Sequence, residues 1–376
     1  MTLKIAQFLS EKQPATPCLV VDVDNVEEHY HSMQAALPSA RIYYAVKANP
    51  ARPVLDRLVF LGACFDAASW EEVDLCLSAG ARPENISFGN TVKKASAIKA
   101  AYEAGIRLFV FDCIEELEKL ARFAPGARVY CRLLVNNHGA EWPLSRKFGT
   151  TTESARELLL HARKLGLDPY GVSFHVGSQQ ICADAYEAAI VQVGTLLADL
   201  AADGLRLRMV NLGGGFPIRY RDDVPSIAHF GQVIQRAMKT NFGEALPEIL
   251  VEPGRFIVGA AGVVCSEVVL ASRRGYVDGP RWIYLDIGRF GGLAETEGES
   301  IRYALRTERD GEETERVALA GPTCDGADIL YEKSYYALPV TLEAGDRVQI
   351  LGTGAYVSTY CSTRFNGFAP LSEHYI

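Results

Sequence analysis

The 376-residue chain exceeds the usual size of a single hydrophobic core, so one large α/β barrel plus a second domain, or two medium domains, is expected. Hydrophobic residues make up 48% and charged residues 22%, the balance of a soluble globular protein, and no apolar run approaches the ~20 residues of a membrane span. A formal charge of −8 disfavours nucleic-acid and anionic-membrane surfaces and favours a small-molecule ligand.

The N-terminal "MTLKIAQFLSEKQPATP" has charges among its apolar residues and no signal-peptide pattern, which predicts a cytoplasmic protein. Next, "TPCLVVDVD" reads as a strand that returns to the C-terminal part of the chain, and "NVEEHYHSMQAAL" reads as a helix. Strand-like runs then follow at "IYYAVKAN", "CFDAAS", "ISFGN", "RLFVFD", "RVYCRLLV", "YGVSFHV", "MVNLGGGF" and "ILVEPGR". Helix-like segments such as "RPVLDRLVFLGA" and "EEVDLCLSAGA" alternate with them. About eight such units in succession favour a parallel sheet closed into a (β/α)8 TIM-type barrel over an open doubly wound sheet. Beyond residue 260, "GVVCSEVVLASRRG", "RWIYLDIG", "RVALAG" and "YALPVTLEAGDRVQILG" have the texture of a mainly antiparallel β domain. The expected division is 25–260 for the barrel and a discontinuous β-rich domain of 1–24 and 261–376. The nine cysteines show no CxxC pair and no Cys/His spacing suited to zinc, so no metal site is expected.

In such barrels the chemistry gathers where strands end and βα loops begin. The polar exceptions in these strands fall there. Lys47 closes the first strand, Asp66 lies in the second, Arg132 in the fifth and His175 near the end of the sixth. Gly213, Gly214 and Gly215 follow the seventh, and Glu252 with Arg255 closes the eighth. Lys47 invites explanation, because a lysine kept neutral at pH 7 in an apolar setting costs roughly 3 pKa units, on the order of 4–5 kcal/mol.

The residue types complement one another. "NLGGGFP" leaves backbone N–H groups unobstructed for a phosphate, to which Arg255 could add a bidentate contact. Glu252 could hold a proton on a heteroaromatic nitrogen, His175 could stack on a planar ring, and Lys47 could condense with an aldehyde. Phosphate, ring nitrogen, flat face and aldehyde together describe pyridoxal 5′-phosphate.

"YYAVKAN", "SFHVGSQ", "LGGGFP", "EPGR", "GPTCD" and "GTGAY" resemble, in order and over nearly the whole chain, the alanine-racemase-like (fold type III) pyridoxal-phosphate basic amino acid decarboxylases. Within that group "GPTCDGADILYEK" and "GAYVSTYCSTRFNGF" look most like the ornithine decarboxylases, particularly the shorter bacterial forms. The resemblance implies decarboxylation of L-ornithine to putrescine and CO2, a step of polyamine synthesis. It implies that Lys47 holds the cofactor covalently, which replaces the free ammonium that burial would penalise. It further implies that His175 stacks on the ring and Glu252 pairs with its nitrogen. Gly214, Gly215, Arg255, Ser178 and Tyr356 would surround the phosphate, with Asp66 and Arg132 close to the cofactor. Cys324 would protonate the substrate Cα, and Asp325 would contact the distal amino group of a basic amino acid. The family's second distal acid has no clear match; Glu295, Glu297 and Glu299 in "GGLAETEGES" are the alternatives, with Glu295 favoured. The resemblance also implies a homodimer in which Cys324 and Asp325 reach into the partner's barrel.

Other readings follow from the same residues. A dual lysine/ornithine enzyme fits, because one methylene is worth only about 1–3 kcal/mol. Diaminopimelate decarboxylases share the barrel motifs but differ around the C-terminal cysteine, and Asp325 would repel a distal carboxylate. A regulatory homologue without catalysis is countered by the intact set Lys47, His175, Glu252, Arg255, Cys324 and Asp325. A racemase of the same barrel type is expected to put an arginine, not Glu252, on the ring nitrogen.

Overall fold

The computed structural model describes residues 1–136, 138–142, 147–273 and 279–376. The chain divides into two compact units, one of Glu27–Pro217 with Val224–Ile257, the other of Met1–Val26, Ile218–Asp223 and Val258–Ile376. The barrel unit ends within three residues of the expected span of 25–260, and inside that span Ile218–Asp223, just beyond the glycine triplet, group with the β-rich unit.

In the first unit eight strands close into a barrel: β1 Ala40–Ala45, β2 Cys64–Ala67, β3 Ile86–Phe88, β4 Leu108–Phe111, β5 Arg128–Arg132, β6 Asp168–Ser173, β7 Met209–Asn211 and β8 Glu248–Val251. Every pairing around the ring is parallel, and β8 returns to β1 with Val251 opposite Ile42. Strands this short and apolar suit a sheet covered on both faces. Tyr43, Cys64, Leu108, Val110, Tyr130, Met209 and Leu250 pack into one buried cluster. Between β6 and β7 the backbones approach so closely that a Cβ on Gly171 would lie 2.3 Å from the Met209 carbonyl oxygen.

Helix starts are written locally. Ser69 accepts from the Glu72 N–H (3.2 Å) and the Glu72 carboxylate accepts from Ala68 N–H (2.7 Å), a reciprocal cap for Trp70–Ser78. The helix Asp184–Ala202 is long and apolar enough to cross a membrane, against the expectation from the sequence, but it is a barrel helix. Its Tyr186, Ile190, Val193, Leu196 and Leu200 are buried, and the Tyr186 hydroxyl donates to Gly214 O at 2.8 Å.

The β-rich unit holds an eight-stranded sheet. Cys18–Val21 pairs antiparallel with Gly262–Ser272, which in turn pairs antiparallel with Arg281–Leu285 and Arg347–Leu351. The sheet is mixed rather than purely antiparallel: Arg281–Leu285 runs parallel to Thr314–Ala320, and Cys18–Val21 parallel to Ser372–Tyr375. The last two residues of "GVVCSEVVLASRRG" lie outside the described residues.

One buried polar cluster in the barrel unit escaped sequence reading. The Lys93 ammonium is fully buried, donates to Asn90 O and Val110 O (both 2.7 Å) and lies 2.9 Å from Glu116 Oε1. Glu116 Oε2 also meets Lys119 Nζ at 2.6 Å. Burial pushes Lys93 down to about 8 against the pull of Glu116. The contact joins β4 to the turn after β3 and to the helix Ile114–Phe123. Glu116→Ala strands a buried cation, and a loss of about 3–5 kcal/mol is expected as a lowered urea midpoint by circular dichroism. Lys99→Ala, which breaks an exposed ion pair of 3.8 Å, should cost at most about 0.5 kcal/mol.

Candidate active site

The site is assembled from the ends of the barrel strands. β1 stops at Ala45, whose N–H donates to Pro253 O (3.1 Å), and the chain then makes a single tight turn, Val46–Ala48. The turn is closed by Asn49 N–H on Val46 O (3.1 Å), while Tyr44 Oη donates to Asn49 O (2.9 Å). Lys47 therefore sits past the strand, not within it. Its side chain is 47% exposed, so the desolvation expected of it is absent; its Nζ lies 3.6 Å from Asp66 Oδ2. The buried partner is Asp66, on β2: burial raises its pKa, and the charges of Lys47 and Arg132 pull against that rise.

Glu252, immediately after β8, keeps a partly accessible surface but is surrounded by protein, and that desolvation, reinforced by Asp66, raises it to about 7 against the pull of Lys47. The Asn211 side-chain amide donates to its Oε1. Asn211 Oδ1 in turn accepts from Gly213 N–H (2.9 Å), and Glu252 N–H donates to Gly213 O (2.8 Å). One asparagine thus couples the carboxylate to the glycine loop. Sequence reading passed over it, although its position as the last residue of β7 before three glycines is the available signal.

His175, two residues beyond β6, is pushed well below its ordinary pKa by desolvation and then by the positive charges of Arg132 and Lys47. Its Nδ1 accepts from Gly177 N–H at 3.0 Å, which requires that nitrogen to be unprotonated. The ring is a neutral, partly accessible plane.

The glycine triplet is demanded by space as well as by backbone angle. Gly213 has φ +67° and a Cβ there would lie 2.2 Å from Phe174 O; at Gly215, with φ +107°, it would lie 2.3 Å from Gly177 O. At Gly214 a Cβ would meet Glu252 O at 2.5 Å and His175 Nε2 at 3.4 Å. Close by, buried Arg255 opens the helix Arg255–Val258 and donates through Nη2 to Ser178 Oγ (3.1 Å). Arg132, the last residue of β5, lies with its guanidinium 5.2 Å from the Phe148 ring centre.

The structure thus gathers Lys47, Asp66, Arg132, His175, Ser178, Gly214, Gly215, Glu252 and Arg255 at one rim. Their chemistry fits pyridoxal 5′-phosphate: a reachable amine, a neutral flat ring, bare amides beside an Arg/Ser pair, and a carboxyl poised near 7 that a ring cation would draw down.

The remaining candidates belong to the β-rich unit and are described within it. Tyr356 has φ +58° and lies two residues beyond Gly354, where a Cβ would lie 1.9 Å from Val258 O. Cys324 and Asp325 are exposed; Asp325 Oδ1 accepts from Ala327 N–H (2.8 Å). Of the three glutamates, Glu295 is buried and Glu297 exposed. Glu299 is committed to structure: its carboxylate accepts from the N–H groups of Glu332, Lys333 (both 2.8 Å) and Ser334 (2.6 Å). Although burial opposes ionisation there, those hydrogen bonds hold Glu299 at about 2.

Comparison with known proteins bears on the same residues. Residues 23–259 match the family described as pyridoxal-dependent decarboxylase, pyridoxal binding domain. The chain is 35% identical over 367 residues to the lysine/ornithine decarboxylase of Selenomonas ruminantium, covering 97% of this chain and 90% of that protein. It is 31% identical over 385 residues to antizyme inhibitor 2 of Xenopus laevis, covering 99% and 83%. The solved lysine/ornithine decarboxylase of Vibrio vulnificus, complexed with cadaverine, matches with a TM-score of 0.89 at 31% identity, covering 100% of this chain and 99% of that one.

The Glu252 shift carries a pH signature. In the folded, cofactor-free chain Glu252 keeps its proton to about pH 7, whereas unfolded it ionises near its ordinary value of about 4.3. The folded state therefore binds the extra proton between those values. The stability Glu252 contributes is full below the unfolded pKa and is lost as pH rises through 7. The urea midpoint of the cofactor-free protein should fall between pH 5 and pH 8, and fall less in Glu252→Gln, by on the order of 1–3 kcal/mol. Equal slopes in the two proteins would remove the assigned shift.

Proposed function

This chain belongs to the pyridoxal-dependent decarboxylase family, and on that premise we propose that it converts L-ornithine to putrescine and CO2. The observation that carries the substrate reading is Asp325, an exposed carboxylate beside exposed Cys324 on one loop. A carboxylate there suits a distal ammonium and repels a distal carboxylate. Since one methylene is worth only about 1–3 kcal/mol, lysine is the natural second substrate, in keeping with the dual name of the Selenomonas relative. Against a regulatory role like that named for the Xenopus relative stands the complete donor set at the rim and loop.

In this reading Lys47 Nζ would hold the cofactor covalently; Asp66 Oδ2, 3.6 Å away, steadies Lys47, and Arg132 helps to balance the Asp66 charge. The amides of Gly214 and Gly215, with Ser178 and Arg255, would bind the phosphate. Neutral His175 covers one ring face without adding charge. Glu252, steadied by Asn211, holds a proton on the ring nitrogen. When bound, the cofactor ring takes up the electron pair released as the Cα–carboxylate bond breaks. Cys324 Sγ supplies the proton to Cα, and Asp325 orients the far end of the substrate. Exposure of both side chains in a single chain supports a homodimer in which each loop serves the partner's barrel.

A panel of L-ornithine, L-lysine, L-arginine and meso-diaminopimelate, read as CO2 and diamine, tests the substrate. Ornithine should give the highest kcat/KM, lysine less, and diaminopimelate almost none; a preference for diaminopimelate overturns the reading. As the control, Lys47→Ala should lose the borohydride-fixed adduct and turn over roughly 10³-fold more slowly or worse.

Shared sites have their own test. Lys47→Ala and Asp325→Ala, each nearly inactive, are mixed under conditions that let subunits exchange. Random pairing makes half the dimers mixed with one sound site each, restoring about a quarter of wild-type activity. Confirmed exchange without recovery places each site within one chain.

A further inference from the structure

We propose that Asn366 is a positioning residue for Cys324, acting through the Cys324 backbone amide, with the Asp328 carboxylate fixing the loop's other attachment. The inference rests on the reading of Cys324 as the proton donor. Cys324 and Asp325 occupy an irregular loop and are exposed in the single chain, so packing of their side chains within their own chain does not set their position. Among the described residues, the tie from Cys324 to another segment is its N–H on Asn366 Oδ1, at 3.0 Å.

Asn366 is itself held. It has φ +51° and follows Arg364 at φ +62°, a left-handed conformation that asparagine tolerates better than most residues. The neighbouring Phe365 packs on Phe290 with ring centres 4.9 Å apart, and Ser362 N–H donates to Phe290 O (2.9 Å). The second attachment leads to the same turn. Asp328, 2% exposed, accepts from Thr323 N–H (3.1 Å) and Thr323 Oγ (2.7 Å) on one oxygen and from Arg289 N–H (2.8 Å) on the other. Glycines surround it of necessity, since a Cβ on Gly288 or Gly321 would come within 2.1 or 2.4 Å of its carboxylate oxygens. Behind the loop lies a cavity of about 320 Å³ lined by Gly288, Phe290, Pro322, Thr323 and Phe365. With open space there instead of packed side chains, the two polar latches set the placement of Cys324 within its own chain. Proton delivery depends steeply on that placement.

The test separates the acceptor from the backbone shape. Asn366→Gly keeps a left-handed residue and deletes the acceptor, whereas Asn366→Asp keeps one. In the cofactor-free protein, hydrogen exchange at the Cys324 amide should quicken about tenfold in the glycine variant and stay near wild type in the aspartate variant. In the holoenzyme the glycine variant should lose roughly tenfold in kcat with KM and cofactor affinity unchanged, and the aspartate variant should recover most of it. Wild-type exchange and turnover in Asn366→Gly overturn the proposal. So does a joint loss of Tm, cofactor affinity and KM, the mark of a purely structural residue. Cys324→Ala distinguishes the layers: if it is nearly inactive while Asn366→Gly is normal, only the positioning fails. If Cys324→Ala turns over normally, the proton-donor reading fails instead.

Discussion

Closing eight parallel strands into a ring puts every strand end on one rim, and this constraint organises the rest of the barrel's chemistry. Backbone pairing continues past the strands themselves: Ala45 N–H reaches Pro253 O, and Glu252 N–H reaches Gly213 O. Charges brought that close must balance. Burial makes both Asp66 and Glu252 harder to ionise, Asp66 adds to the rise of Glu252, and Lys47 and Arg132 oppose both shifts. The same two cations help to keep His175 neutral. A flat uncharged ring, a carboxyl raised to about 7 and a solvated amine are consequences of one arrangement, so none of the three can be tuned alone.

Much of this was legible because βα punctuation is local. Short apolar runs ended by Lys, His, Gly or Glu mark strand ends, and the alternation of periods marks the helices between them. At Lys47 the sequence misleads in one respect, since "YYAVK" has strand character throughout although the extended backbone stops at Ala45. Asn211, Asp328 and the Lys93–Glu116 pair were missed for a different reason. Each has a distant partner, 41, 39 and 23 residues away along the chain respectively, and an isolated polar residue at a strand end or in a loop carries no mark of such a partner. The parallel pairings of the β-rich sheet were hidden likewise, because a strand's sequence does not state its neighbour's direction.

The segment "GPTCDGAD" shows how satisfaction of hydrogen bonds sorts residues that look alike. Asp328 spends both oxygens on Thr323 and Arg289, so it builds the loop. Asp325 spends one oxygen on its own loop at Ala327 and faces solvent. Applied to the glutamates, the same accounting withdraws Glu299, whose three backbone donors hold it ionised for the fold's own use. Of the two aspartates in that segment, Asp325 is the one with an oxygen to spare, and on the proposed function it meets the distal ammonium. On the proposed function, charge at that position selects substrates ending in a cation over those ending in an acid. Chain length then rests on the fit of apolar contacts around the substrate's methylenes, each worth about 1–3 kcal/mol, which is too small a term to separate ornithine from lysine absolutely.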